Sequence, residues 1–525
     1  MLRLRWLGRV AYADAHALQH GLFARSADDH LLLLEHPHVF TLGRGGSLDH
    51  LLVDPDAVGA ELVRTDRGGD ITYHGPGQLV GYPILTVPGK RGGGMADTVA
   101  YVRSVEQLLI DVLADLGLFD VGRVDGLAGV WVAPDSPWPR KIAAIGVKLS
   151  RGRSMHGFAL NVDTDLAWFD RIVPCGIVDK GVTSLRAEGL DVTMDEVVDA
   201  VAARAAERWG SAGWERADVK ALPSDVPVKV GGLAIAERKP EWLRAPVRLG
   251  EDYRALRKRM RRLDLVTVCE EAGCPNISEC WSDGTATFML NGERCTRACG
   301  FCLVDTRKPD APPAADEPER VAAAVAEMGL RFAVLTAVAR DDLPDGGAAQ
   351  FAATIEAIRR RNPATEVEVL IPDCKGAPAA LDVIFAARPD VLNHNLETVA
   401  RLQRAVRPSA GYARSLAVLA RARAAGLTTK SGMILGLGET EDEVVAALGD
   451  LRGVGTDIVT LGQYLRPTAA HLPVRRWWTP EEFDRLKAAG EALGLAHVEA
   501  GPLVRSSYHA REAAESGHAA LVDAG

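Results

Sequence analysis

Three cysteines fall within eight residues in CTRACGFC, Cys295 to Cys302, with three and then two residues between them. A structural zinc site closes with four ligands, usually supplied as two C-x2-C-like pairs, so a triplet leaves one position unfilled. Three thiolates can hold three irons of a four-iron, four-sulfur cluster and leave the fourth iron free to bind a small molecule. On that reading the missing ligand is the reactive position; the alternative is a zinc knot or a fortuitous group of thiols. A second triplet, Cys269, Cys274 and Cys280 in CEEAGCPNISEC, stands just upstream and also lacks a fourth cysteine.

The remaining cysteines stand alone. Cys374 in IPDCKG reads as packing. Cys175, in IVPCGI, reads either as a buried structural thiol or as a nucleophile, since a thiolate both attacks and leaves well. Lys141, ahead of the apolar run of KIAAIG, is a candidate partner: a nearby ammonium favours the thiolate and can shuttle its proton. Residues 67–83, RGGDITYHGPGQLVGYP, form a glycine-rich loop and strand in which Gly68, Gly69, Gly75 and Gly77 permit close backbone approach to a ligand and exposed amides could hold an oxyanion. His74 within it either orients a substrate or caps the strand.

These groups must be positioned by two differently patterned halves. After residue 238, apolar strand-like runs (286–290, 332–338, 367–373, 391–397, 429–435 and 458–464) alternate with amphipathic helical stretches. Six strand-then-helix units predict an α/β fold, a parallel sheet curled into a partial TIM barrel, (βα)6. Chemistry in such folds sits at the carboxyl ends of the strands, where this sequence places CTRACGFC, ARDD, Asp373, NHNLE, GLGET and QYLRP. The first half mixes strand-like pieces with helices in no strict alternation, which predicts an α+β domain with a mixed sheet. The expected organisation is a first domain over 1–220, a linker over 221–237 and a second domain over 238–525, because the stretch near 216–238 has early prolines, a Gly-Gly and little periodicity.

Composition narrows the class. In 525 residues, 47% are hydrophobic and 25% charged, the balance of a folded globular protein. The net charge of −9 argues against a global nucleic-acid surface. The basic run RALRKRMRR at 254–262 is a solvated helix face or a dock for an acidic protein partner. No apolar run reaches the length needed to span a bilayer, and six of the 8 cysteines crowd between Cys269 and Cys302, as in metal or cluster ligation under reducing conditions. The expectation is a cytoplasmic protein with neither membrane nor nucleic acid as partner.

The C-x3-C-x2-C spacing matches that of radical S-adenosylmethionine (SAM) enzymes. With the upstream triplet, KPEWLR (239–244), ARDDLPDGG (339–347), NHNLET (393–398), SGMILGLGET (431–440) and VRSSYHA (504–510), the second half resembles lipoyl synthase over residues 238–525. The resemblance implies SAM and two 4Fe-4S clusters. One rests on Cys295, Cys299 and Cys302 and binds SAM. The other, auxiliary, rests on Cys269, Cys274, Cys280 and a serine of RSSY, assigned to Ser506 with Ser507 as the alternative, and is consumed as the sulfur source. Sulfur would enter an octanoyl chain at its sixth and eighth carbons.

The segments RGGDITYHGPGQLVGYP, KIAAIG, HGFALNV (156–162) and IVPCGI, in that order along the sequence, resemble the lipoyl (octanoyl) transferases, of the biotin/lipoate protein ligase-like fold, over about residues 1–220. This resemblance implies Cys175 and Lys141 as the catalytic pair. It also implies a substrate site of Arg67, Gly68, Gly69, Asp70, Ile71, Thr72, Tyr73, His74, Ala143, Ala144, Ile145, His156, Gly157 and Phe158. The implied partners are octanoyl-acyl carrier protein, the lipoyl domains of 2-oxoacid dehydrogenase complexes, the glycine cleavage H protein and an electron donor. Rival readings are an ATP-dependent lipoate ligase for the first half, another sulfur-inserting radical enzyme such as biotin synthase for the second, and a noncatalytic zinc scaffold for the whole.

Overall fold

The computed structural model describes residues 1–89, 96–173, 180–220, 239–243 and 285–523. Cys175, Cys269, Cys274, Cys280, the expected 221–237 linker and the basic run at 254–262 lie outside the described residues. The chain divides into two compact units, Met1–Val219 and Lys220–Gly525.

The first unit contains β1 (Leu2–Arg9), α1 (Tyr12–Arg25), β2 (Asp29–Glu35), β3 (Val39–Leu42), β4 (Glu61–Arg64), β5 (Ile71–His74), β6 (Gln78–Ile84), α2 (Thr98–Asp115), β7 (Val121–Val124), β8 (Leu127–Val132), β9 (Arg140–Ser150), β10 (Arg153–Asn161), β11 (Gly181–Val182), α3 (Met194–Trp209) and β12 (Trp214–Asp218). Its large sheet runs β12-β1-β2-β6-β10-β9-β8-β7, with β11 paired to β9. Strand β1 is parallel to both its neighbours, whereas β2 through β7 along this path pair antiparallel, so the sheet is mixed as expected. Asp97 caps α2 by accepting from Ala100 N, and Tyr101, Val105, Leu108, Leu109 and Val112 bury one face of that helix in the core on the sheet.

A smaller sheet, β4-β3-β5, joins the large one through the turn between β5 and β6. At Gly77 (φ +79°) a Cβ would stand 2.3 Å from Asp163 O, so this turn requires glycine. Close approach is also needed between β6 and β10: a Cβ on Gly157 would lie 2.1 Å from Gly81 O, and one on Gly81 would strike the Phe158 ring.

The second unit contains β13 (Thr285–Leu290), α4 (Glu317–Met328), β14 (Phe332–Ala337), α5 (Ala348–Arg361), β15 (Glu366–Leu370), α6 (Pro378–Ala386), β16 (Val391–Asn393), α7 (Tyr412–Ala424), β17 (Thr428–Leu435), α8 (Glu441–Gly453), β18 (Ile458–Gln463), α9 (Pro480–Ala492), β19 (His497–Gly501) and α10 (Ala510–Asp523). The seven strands pair in chain order, each parallel to the next. All six expected strands form, and β19 adds a seventh. Capping boxes at Thr440/Glu443 and Thr479/Glu482 start α8 and α9.

Strand alternation separates two environments. Phe288, Leu335, Val369 and Leu392 enter an apolar core with the helices, and Cys374 is buried in the same core, as packing. On the other register Lys430 Nζ stands 3.0 Å from Glu368 Oε2, and Asn393 Nδ2 donates to Glu368 Oε1 at 2.9 Å, all three side chains buried. Among the described residues no helix is long and apolar enough to cross a membrane.

Candidate active sites

In the second unit the cysteine loop follows β13 and is pinned along its length. Cys295 N donates to Asp305 O and Thr296 N to Ala339 O; Gly300 N donates to Val406 O, and His471 Nε2 lies 2.9 Å from Cys302 O. A Cβ on Gly300 would meet Leu472 at 2.6 Å, so glycine lets the loop pack there. Arg297, between the first two cysteines, is the anchor: its guanidinium donates to both oxygens of Asp341 (2.7 and 2.8 Å) and to Asp373 Oδ1 (2.6 Å). Burial opposes the charges of Arg297 and Asp373, but these bonds outweigh it and hold the guanidinium charged and the Asp373 carboxyl below its ordinary range. Sequence reasoning noted ARDD and Asp373 as strand-end polar groups and missed the arginine that joins them.

Cys295, Cys299 and Cys302 open on one cleft of about 2770 Å³, counting its mouth. Residues at or just past the carboxyl ends of β13 to β18 contribute, beginning with Met289 on β13, and Val504, Arg505 and Ser506 come from the segment after β19. The cleft thus brings Ser506 and the cysteine triplet to one cavity. Gly432 on its wall has no room for a side chain, since a Cβ would stand 2.6 Å from Thr460 Oγ1 and 3.0 Å from Asn395 Oδ1. Asn395 Oδ1 is buried without a hydrogen-bond partner. From NHNLE, Asn395 and Glu397 both line the cleft, and burial raises the Glu397 carboxyl above its ordinary range against the pull of Arg407. GLGET behaves differently: Glu439 turns onto its own loop, accepting from Gly436 N, Leu437 N and Trp478 Nε1, and does not line the cleft.

Burial raises the Cys299 thiol and pushes Cys302 up to about 11. Both are therefore protonated at neutral pH when free of metal, and binding iron releases those protons. Three undisulfided thiols on one anchored loop, an orphaned buried acceptor and a glycine cradle fit a three-cysteine cluster with a polar small molecule beside it.

In the first unit a cavity of about 490 Å³ lies where the two sheets meet. Of the expected substrate residues, Arg67, Gly68, Gly69, Thr72, His74, Ala144, Ile145, His156, Gly157 and Phe158 line it. Asp70, Ile71, Tyr73 and Ala143 do not. Ile71 and Tyr73 alternate with Thr72 and His74 along β5 and enter the small-sheet core, where Tyr73 stacks on Trp168 at 5.1 Å. Ala143 is buried in the main core. Asp70 pairs with His50 Nδ1 and accepts from Ser47 N and Ile71 N, which holds the loop instead of facing the cavity. Tyr12 and Tyr82 line the cavity and were missed, because nothing in their local sequence marks them.

Arg67 ties the loop to β3, donating to Thr41 O (2.6 Å) and Thr41 Oγ1 and to Gly68 O of the loop itself, while Gly68 N donates to Val147 O on β9. His74 is buried and bonded through Nδ1 to Gln78 Oε1 (2.8 Å), and burial lowers it to about 3, so a neutral imidazole faces the cavity. Lys141 is absent from the cavity wall; its Nζ lies 4.6 Å from the centroid of the buried Trp131 ring. Its backbone pairs with Val182 on β11.

A parallel sheet of strand-helix units whose carboxyl ends share a cleft with a C-x3-C-x2-C loop defines a radical SAM enzyme, and residues 291–451 match the family model of the Radical SAM superfamily. Residues 222–274 match the N-terminal domain of lipoyl synthase, and 274 residues are 58% identical to the lipoyl synthases of Mycobacterium bovis and Mycobacterium tuberculosis, covering 52% of this chain and 88% of each relative. The chain belongs to the lipoyl synthase family. Residues 11–206 match the lipoyl protein ligase A/B catalytic domain, so the chain joins a ligase/octanoyltransferase-type domain to a lipoyl synthase that uses SAM and 4Fe-4S clusters. A bipartite lipoate protein ligase from Thermoplasma acidophilum, solved with its E2 lipoyl domain, aligns at TM-score 0.35 and 20% identity over 42% of this chain and 87% of that one.

Proposed function

We propose that the chain carries out two consecutive steps of protein lipoylation. The first unit takes an octanoyl group from acyl carrier protein as a thioester on Cys175 and passes it to a lysine amine of a lipoyl domain. The second inserts sulfur at the sixth and eighth carbons of that chain, drawing it from an auxiliary cluster on Cys269, Cys274, Cys280 and Ser506. The observation that carries the reading is the cleft shared by Cys295, Cys299, Cys302 and Ser506 at the carboxyl-end face of the parallel sheet.

When bound, the cluster on Cys295, Cys299 and Cys302 supplies the electron that cleaves SAM and so starts hydrogen abstraction. The protein's own part is placement. Arg297 fixes the cysteine loop to Asp341 and Asp373, and the strand-end walls bring that loop and Ser506 to one cleft. In the first unit the cavity of glycines, Ile145 and Phe158 suits an unbranched apolar chain. Lys141 takes the role of favouring the Cys175 thiolate and shuttling its proton.

Transfer from octanoyl-acyl carrier protein to a purified lipoyl domain, with and without ATP, tests the first step. Cys175→Ala should abolish ATP-independent transfer. Wild-type transfer by that variant, or an absolute need for ATP, would replace this reading with a lipoate ligase.

A further inference from the structure

Ligand atoms from three distant parts of the first unit converge beside its cavity. His16 on α1, Asp66 ahead of β5 and His156 on β10 each offer one atom, and all three atoms lie within 4.8 Å of one another. His156 Nε2 is 2.7 Å and His16 Nε2 3.9 Å from the same carboxylate oxygen, Asp66 Oδ1. Ligand atoms at ~2.0–2.1 Å around a tetrahedral zinc stand roughly 3.3–3.4 Å apart, between these separations. One helical turn beyond His16, His20 brings its Nε2 to 3.2 Å from His16 Nε2, at the edge of the group.

We propose that the first unit binds one zinc ion through His16, Asp66 and His156, with His20 beside the fourth position. Each donor already carries the charge it needs to ligate. Burial lowers His16 and His156 to about 4, leaving neutral imidazoles. Burial would raise the Asp66 carboxyl, but Lys148 and His156 outweigh it and keep it ionised. Lys148 Nζ sits 2.5 Å from Oδ2, so the carboxylate is held from behind with Oδ1 turned to the imidazoles. On binding, the ion replaces the hydrogen bond between His156 Nε2 and Oδ1, and the neutral imidazole keeps its one proton, which passes by way of solvent from Nε2 to Nδ1. Two imidazoles and one carboxylate suit zinc better than magnesium or calcium, which favour all-oxygen sets. His156 forms part of the cavity wall and holds φ +61°, which few side chains adopt; a bound ion would fix that wall.

The test uses the full chain with both clusters reconstituted, so that iron occupies the cysteines, dialysed against buffered free zinc. The expected result is one zinc per chain, with an X-ray absorption shell of nitrogen and oxygen and no sulfur. His16→Ala, at a half-buried position, should weaken zinc binding by at least about tenfold, the loss typical even of an outer partner. Sulfur in the zinc shell, no bound zinc, or unchanged binding in His16→Ala would each overturn the proposal. The wild-type shell needs no variant and decides the matter if His16→Ala fails to fold.

Discussion

Arg297 Nη2 donates to Asp373 Oδ1 at 2.6 Å, tying the loop that carries the three cluster cysteines to the turn after β15. Asp373 is fully buried, and its other oxygen has no partner. Removing the arginine therefore strands a buried carboxylate, at a cost of about 3–5 kcal/mol, and frees the loop. Arg297→Ala should lower reconstituted iron from about eight toward about four per chain, as Cys299→Ala should, because each triplet is assigned one four-iron cluster. Arg297→Lys keeps the charge without the fork and should fall between. An iron and sulfide count unchanged in Arg297→Ala would remove its anchoring role.

A buried ion pair lies on the inner strand register. Breaking it on one side, as in Lys430→Met, should destabilise the second unit by about 3–5 kcal/mol, because Glu368 would be left buried without its cationic partner, beside Asn393. Lys430→Met with Glu368→Leu should recover much of that loss. Urea unfolding checks both; a double variant no better than the single would show that the pair is not the unit of stability.

Acid should loosen the fold through its neutral histidines. Burial lowers His36 to about 4, His74 to about 3 and His394 to about 4. Each binds its proton more weakly folded than unfolded, so the stability it contributes is complete above about pH 6.5 and is lost as pH falls toward 4, by roughly 1.4 kcal/mol per pH unit per imidazole. Thermal midpoints should drop across that window, and His36→Gln should flatten the slope. A profile flat from pH 6.5 to 4 would contradict this.

Lys141→Ala should slow acylation of Cys175 most at neutral pH and be partly rescued at high pH, where a thiolate forms without an ammonium neighbour. Acylation followed by mass spectrometry checks it. An unchanged rate would leave Lys141 with only its stacking on Trp131.

The second unit was legible because its strands are uninterrupted apolar runs separated by amphipathic helices, and because its cysteines are adjacent in sequence. The seventh strand, HVEAG, escaped because it is short and half polar, and it becomes a strand by pairing along β18. Glu439 resembled a cofactor group by its place at a strand end, yet the backbone amides of its own turn claim it. The convergence of His16, Asp66 and His156 could not be read, since 140 positions separate its outermost members and it takes the packing of α1 on β10 to bring the two histidines together.

The partition of chemistry between the units is tested most directly by the mass of a lipoyl domain incubated with octanoyl-acyl carrier protein, SAM, a reductant and each variant. Cys299→Ala should accumulate octanoyl-domain without sulfur. Cys175→Ala should leave a bare domain untouched but convert one octanoylated beforehand to the lipoyl form. Sulfur on the domain with Cys299→Ala, or failure of Cys175→Ala to convert the octanoylated domain, would contradict the account.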